Sequence, residues 1–313
     1  MPRSVLLALA GGAASGLLYL ALMTGTMGGT LFAYLSQVPL FLIGFGLGLS
    51  PAVTAGVLAT VVVAAAGSVY AGLLFVATSV APLLVIVRQA LLNRPAPDGT
   101  IVWYPPGHLI ALLSGMAAAG ILAAALAFGG GEDGLRAGVR DTLDSALQGM
   151  MQAGMDEAER RAFADSLAGF FPGAIGVSWI VMMTVNGSLA QGVLSGFGRN
   201  IRPSPPLAEL VLPVWPYYAL GACLLFAIVA SGTVGYIAGN LAIVFAVPFF
   251  LQGLGVVHAL ANRVSARTLS LSIFYLVLIV SGWPALVVTV AGLLEPFAKL
   301  RLRYGRPRGP EEE

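Results

Sequence analysis

The feature that most limits how this chain can fold is a series of long apolar runs. They cover residues 4–23, 29–49, 51–67, 70–92, 107–128, 170–194, 208–230, 234–261 and 269–294. A helix needs about 17–25 predominantly apolar residues to cross a bilayer, and most of these runs reach that length. Lipid offers no partner to an open backbone N–H or C=O, so the spans are expected as α-helices. A β-barrel would instead show short alternating segments. Composition agrees, since only 10% of residues are charged and 58% are hydrophobic. Soluble domains carry about 25% charged residues and need them to cover their surface. The fold class is therefore all-α, a polytopic transmembrane helical bundle of about eight to ten segments.

Arg3 followed by Val5–Ala10, with Ala8-Leu9-Ala10 as an A-x-A, mimics a secretory signal. The apolar stretch before that site is short for such a signal, and apolar sequence resumes at 17–23, so residues 4–23 are expected as a retained first span. Arg3, Arg88 with Arg94, Arg199 with Arg202, and Arg263 with Arg267 follow zero, four, six and eight runs. All then fall on one side, expected to be cytoplasmic by the positive-inside rule. The N-terminus falls there too. The tail carries Lys299, Arg301, Arg303, Arg306 and Arg308 and should share that side, yet nine crossings would place it opposite. Either the last run enters and returns at Ser281-Gly282-Trp283-Pro284, or an earlier run does not cross.

These patterns define a transmembrane domain over 1–298, with an insertion at 129–169, and a charged cytoplasmic tail over 299–313. The insertion holds eight acids, Glu132 and Asp133 among them, against four arginines. Leu135, Val139, Leu143, Leu147 and Met150/Met151 recur at helical spacing. Gly154 interrupts, and Asp156 with Glu159 has the pattern of a capping box opening a second helix through Phe163 and Leu167. An extracytoplasmic amphipathic element lying on the membrane face is expected, with a lid as the alternative.

The chemistry-bearing motifs of soluble enzymes are missing. His108 and His258 are far apart, and Cys223 is a single cysteine inside an apolar run. No metal-ligand spacing, phosphate loop or nucleophile elbow occurs. Glu209 and Glu295 lie only near run ends. The expectation is no catalysis, no metal, no cofactor and no nucleic-acid partner.

Neutral polar and aromatic residues remain. Ser178, Met182 and Asn186 share one helix face, with Trp179 beside them. Asn240, Gln252 and His258 lie in another run around Pro248, after Tyr217 and Tyr218. Asn240 and His258 are eighteen residues apart, hence on one face but at different depths. Ser178, Trp179, Met182, Asn186, Asn240 and Gln252 are candidate substrate-binding residues. The other explanation is that such groups only bond neighbouring helices. In the first run, Gly12 and Gly16 form a G-x-x-x-G, and Ala10 with Ala14 a second small pair. They are candidates for close helix packing, within the chain or against a membrane protein partner.

The stretch Pro248-Phe249-Phe250-Leu251-Gln252-Gly253-Leu254-Gly255-Val256-Val257-His258-Ala259-Leu260, the ending Gly292-Leu293-Leu294-Glu295-Pro296-Phe297, and the multi-span layout resemble the YybS-like predicted membrane proteins of bacteria. That family has no assigned function. It is distantly similar to the S components of energy-coupling-factor transporters, which capture vitamins or metal cargo and dock through small residues of the first helix. The resemblance implies a bacterial inner-membrane protein with a substrate-binding or transport-related role, and Ala10 and Ala14 would match the docking pattern. This chain has more spans than those components, and its acidic insertion has no counterpart there. Two functions are expected: a substrate-binding or transport-related subunit for a small organic molecule, without its own ATPase, or a scaffold acting through helix–helix contacts.

Overall fold

Every apolar run becomes helical in the computed structural model, which describes residues 2–128, 134–150, 156–264 and 266–304. Glu132, Asp133, Met151, Gly154, Arg306 and Arg308 fall outside the described residues, as does the side chain of Met150. Among the described residues, seven helices are long and apolar enough to cross a membrane. A shorter apolar helix, Trp215–Val229, and a helix pair bent by 117° complete the series. The chain is a membrane protein with multiple spans, and large apolar side chains such as Ile228, Val229, Ile279, Val280 and Leu286 remain on its outside. Lipid is the solvent that suits such a surface. The contacts divide into two units.

The first unit comprises residues 1–109 and 181–205. Its spans begin with α1 (Arg3–Leu20). Next comes a broken helix of α2 (Met27–Tyr34) and α3 (Gln37–Leu47), then α4 (Leu49–Ala66). The next span joins α5 (Val69–Phe75) to α6 (Ala81–Ala90) through a π-helical stretch, Val76–Val80. Gly48, at φ 97°, makes the one-residue turn between α3 and α4. A residue with a Cβ would be strained there. Gly12 and Gly16 lie buried where α1 crosses α4; a Cβ on Gly12 would sit 2.4 Å from the Ala55 carbonyl oxygen. The candidate packing glycines are thus used inside the chain, while Ala10 and Ala14 are exposed. After α6, the connector forms a ribbon, with β1 (Asn93–Pro95) antiparallel to β2 (Ile101–Trp103).

The second unit comprises residues 110–180 and 206–313. It takes most of α7 (Pro106–Phe128), then α8 (Gly134–Met150) and α9 (Glu157–Ala168). The helix α10 (Phe171–Gly196) begins in this unit and continues into the first. The rest is α11 (Trp215–Val229), α12 (Gly232–Ala261), α13 (Arg267–Ser281), α14 (Pro284–Ala298) and α15 (Leu300–Tyr304). The bend at Gly282 falls where the sequence divides the last run. The long helix α12 is the centre: Phe245 and Phe249 pack with Leu212, Leu220 and Ala242, and Trp215 and Tyr217 meet the two phenylalanines edge-on. Its Gly253 faces Gly292 of α14, where added Cβ atoms would each come within 1.9 Å of a carbonyl oxygen. Backbones can approach this closely only where neither helix has a side chain.

The insertion folds as two paired amphipathic helices, each covering part of the other's apolar face. The predicted capping box at Asp156 and Glu159 is present. Leu143 is buried with Ala164 and Ala168, and Val139, Leu147 and Leu167 pack around them. The apolar stripe of α8 closes against α9 because two amphipathic helices can cover each other's apolar faces. Arg160 with Asp144, and Arg136 with Asp165 at 3.3 Å, pair the antiparallel helices. Phe163 stays exposed.

Candidate functional site

The site in the first unit arises from two prolines. Pro39 has no N–H to give the Leu35 carbonyl, and the Val38 N–H turns to Leu35 instead, at 3.1 Å. The Tyr34 carbonyl, which Val38 would otherwise bond, accepts from Asn186 Nδ2 of α10 at 2.7 Å. Pro82 likewise lacks the N–H that would bond the Thr78 carbonyl, and the helix widens into the π stretch carrying Ser79. The Gln37 amide nitrogen then lies 3.3 Å from Ser79 Oγ and 3.8 Å from Met182 Sδ. Asn186 Nδ2 also donates to the Met182 carbonyl at 2.8 Å and lies 3.5 Å from Gln37 Oε1.

The result is a charge-free polar cluster in the middle of three spans, Met27–Leu47, Val69–Ala90 and Phe171–Gly196. Gln37, Ser79 and Asn186 are all buried, Asn186 to 1% exposure. The amide N–H groups have acceptors. Asn186 Oδ1, by contrast, is buried and finds no hydrogen-bond partner among the described residues, and the same holds for Ser36 Oγ in the helix break. Asp98 is the one acidic residue of this unit, exposed in the β1–β2 turn. Among the described residues no group of three or more His, Cys, Asp or Glu could hold a metal ion.

Two other candidates from sequence lie in the second unit with every amide group engaged. Gln252 Oε1 accepts from the Leu212 N–H at 2.9 Å, and Nε2 donates to Tyr217 Oη at 2.9 Å and the Gly292 carbonyl at 2.8 Å. Arg301 reaches the Gln252 and Ala208 carbonyls and faces Glu295 at 3.5 Å. Asn240 Oδ1 accepts from the Gly173 N–H at 2.8 Å, and Nδ2 donates to the Gly169 and Tyr236 carbonyls. Tyr236 Oη adds a bond to the Ala168 carbonyl, so α12 fixes the joint between α9 and α10. Ser178 and Trp179, half-buried, belong to this unit, whereas Met182 and Asn186 belong to the first. The fold therefore gathers Met182 and Asn186 with Gln37 and Ser79, and assigns Asn240 and Gln252 to separate networks. His258 Nε2 lies 2.8 Å from Tyr275 Oη, linking α12 to α13.

Sequence reasoning missed Gln37, Ser36 and Ser79. The usable signal was a polar pair two residues before a proline in mid-run, and a serine three before another.

The chain belongs to the family described as predicted membrane protein (DUF2232), whose model matches residues 13–295. No curated protein and no solved structure matches it.

Proposed function

We propose that this member of the DUF2232 family is a substrate-binding or transport-related subunit of the bacterial inner membrane, without an ATPase of its own. Its cargo is a small, mostly neutral organic molecule held at the Asn186 cluster. The observation that carries this reading is the buried Asn186 carbonyl oxygen, without a partner among the described residues. Leaving such an acceptor unmet costs about 1–3 kcal/mol, so a mid-membrane cluster that keeps one open is suited to an incoming donor. Broken helices at mid-span are also where membrane transporters hold cargo. An organic cargo is expected to be mostly neutral because the spans of this unit carry no carboxylate to pair with a bulky organic cation. Binding, not catalysis, is the role proposed.

The test is thermal unfolding of the purified protein in detergent against a panel of small neutral solutes. A stabilising solute should lose its effect in Asn186→Leu while Tm without solute stays near wild type. A solute effect unchanged by that substitution would move cargo elsewhere.

We further propose that Arg94 and Arg202 face the cytoplasm, with α8 and α9 outside. If the bent pair α13–α14 returns to the side it entered from, the basic tail joins them. Single-cysteine labelling from outside, in a Cys223→Ala background, should mark position 141 and spare 94; the reverse pattern would invert the chain.

A further inference from the structure

We propose that the Asn186 cluster binds a monovalent metal cation, as cargo or as the ion that accompanies cargo. The physiological meaning rests on the transport reading, but the binding itself does not. The groups with unused capacity are oxygens. Asn186 Oδ1 has no partner among the described residues, and Gln37 Oε1 lies 3.5 Å from the Asn186 amide nitrogen, a long contact that leaves it lone-pair capacity. The N–H groups are occupied: both of Asn186 by the Tyr34 and Met182 carbonyls, and those of Gln37 by Ser79 Oγ and Met182 Sδ. What the cluster can still take up is therefore a donor or a cation, not an acceptor.

Two helix irregularities bring the oxygens inward. The Pro39 break turns the Tyr34 carbonyl to Asn186, and the π stretch before Pro82 carries Ser79 inward. Carbonyls released from a helix ladder in mid-membrane are the ligands a sodium ion takes there. Calcium and magnesium sites are built around carboxylates, and the spans of this unit have none. A single-charge ion is the class that neutral oxygens can hold. Asn186 Oδ1, Gln37 Oε1, the Tyr34 carbonyl and Ser79 Oγ are its proposed ligands.

The experiment measures Tm of the full chain in detergent, without organic solute, in sodium, potassium or choline chloride at equal ionic strength. Sodium or potassium should raise Tm saturably, and choline should not. Ser79→Ala should leave Tm in choline close to wild type and shift saturation to higher cation concentration. Asn186→Asp sets a carboxylate against the two carbonyls that Asn186 now donates to. It should lower Tm in choline, recover with cation, and tighten the apparent Kd roughly tenfold. If Asn186→Asp does not fold, wild type and Ser79→Ala decide alone. Equal Tm in all three salts, or a cation response unchanged in Ser79→Ala, would overturn the proposal and assign the oxygen to a bound water. Failure here with solute stabilisation intact leaves the organic-cargo reading standing; the opposite result removes that reading and keeps this one.

Discussion

The two units each bury an amide in the middle of their helices, and the two amides are treated differently. In the second unit Gln252 joins α12, α14, Tyr217 of α11 and the Leu212 backbone, with oxygen and both N–H groups matched. In the first unit Asn186 joins α10 to the break before α3 with its N–H groups alone, and its oxygen is left over. The surroundings follow the same division. Gln252 adjoins the Gly253–Gly292 crossing, where backbones touch and no room remains. Asn186 stands beside a broken helix and a π stretch, both departures from regular packing. A fully bonded amide beside a backbone crossing is what holding helices together requires. An incompletely bonded one beside irregular backbone is what receiving a ligand requires.

The sharpest way to break this contrast is at the crossing itself. Gly253→Val or Gly292→Val forces side-chain atoms into carbonyl oxygens of the facing helix and should abolish monodisperse protein in size-exclusion chromatography. A folded variant would mean that α12 and α14 are not closely packed. Next, Gln252→Leu leaves the Leu212 N–H, Tyr217 Oη and Gly292 carbonyl unmatched, at about 1–3 kcal/mol for each group that stays buried. Its Tm should fall well below wild type. Asn186→Leu removes the bond to the Tyr34 carbonyl and the longer contact to Gln37 Oε1, at about 1 kcal/mol each, but takes away an unmet acceptor at the same time. Its Tm loss in the absence of ligand should be clearly the smaller of the two. Equal losses would mean that Asn186 is as structural as Gln252. The smallest effect is expected outside the spans. Arg136→Gln breaks an ion pair whose side chains are about half exposed, so the change should be within about 1 kcal/mol and shrink further in high salt.

Much of the architecture could be seen in the chain before folding. Most helix ends fall close to the limits of the apolar runs, though in the run 208–230 the α-helix begins only at Trp215, and Ser281-Gly282-Trp283-Pro284 marked the bend between α13 and α14. Asp156 and Glu159 marked the start of α9. The amphipathic stripe of α8 was visible, but not that α9 would cover it, since a stripe identifies an apolar face and not its partner. The candidate residues divide in the same way. Asn186, Asn240 and Gln252 stood out because polar side chains in apolar runs must find partners. Which atoms found them could not be read, because the partners lie far away in sequence: Tyr34 for Asn186, Gly169 and Gly173 for Asn240, Leu212 and Gly292 for Gln252.

The sequence by itself determined that this is a helical membrane protein, because the length and polarity of a segment decide locally whether it suits a bilayer. It also marked the bend at Ser281-Gly282-Trp283-Pro284, but proline alone did not decide the other breaks, since Pro248 lies inside the continuous helix α12. Only the tertiary structure decided that Gln37, Ser79 and Asn186 meet, and that one carbonyl oxygen among them is left over. Hydrogen bonds are satisfied between helices in space, and each remaining acceptor depends on all the partners already taken.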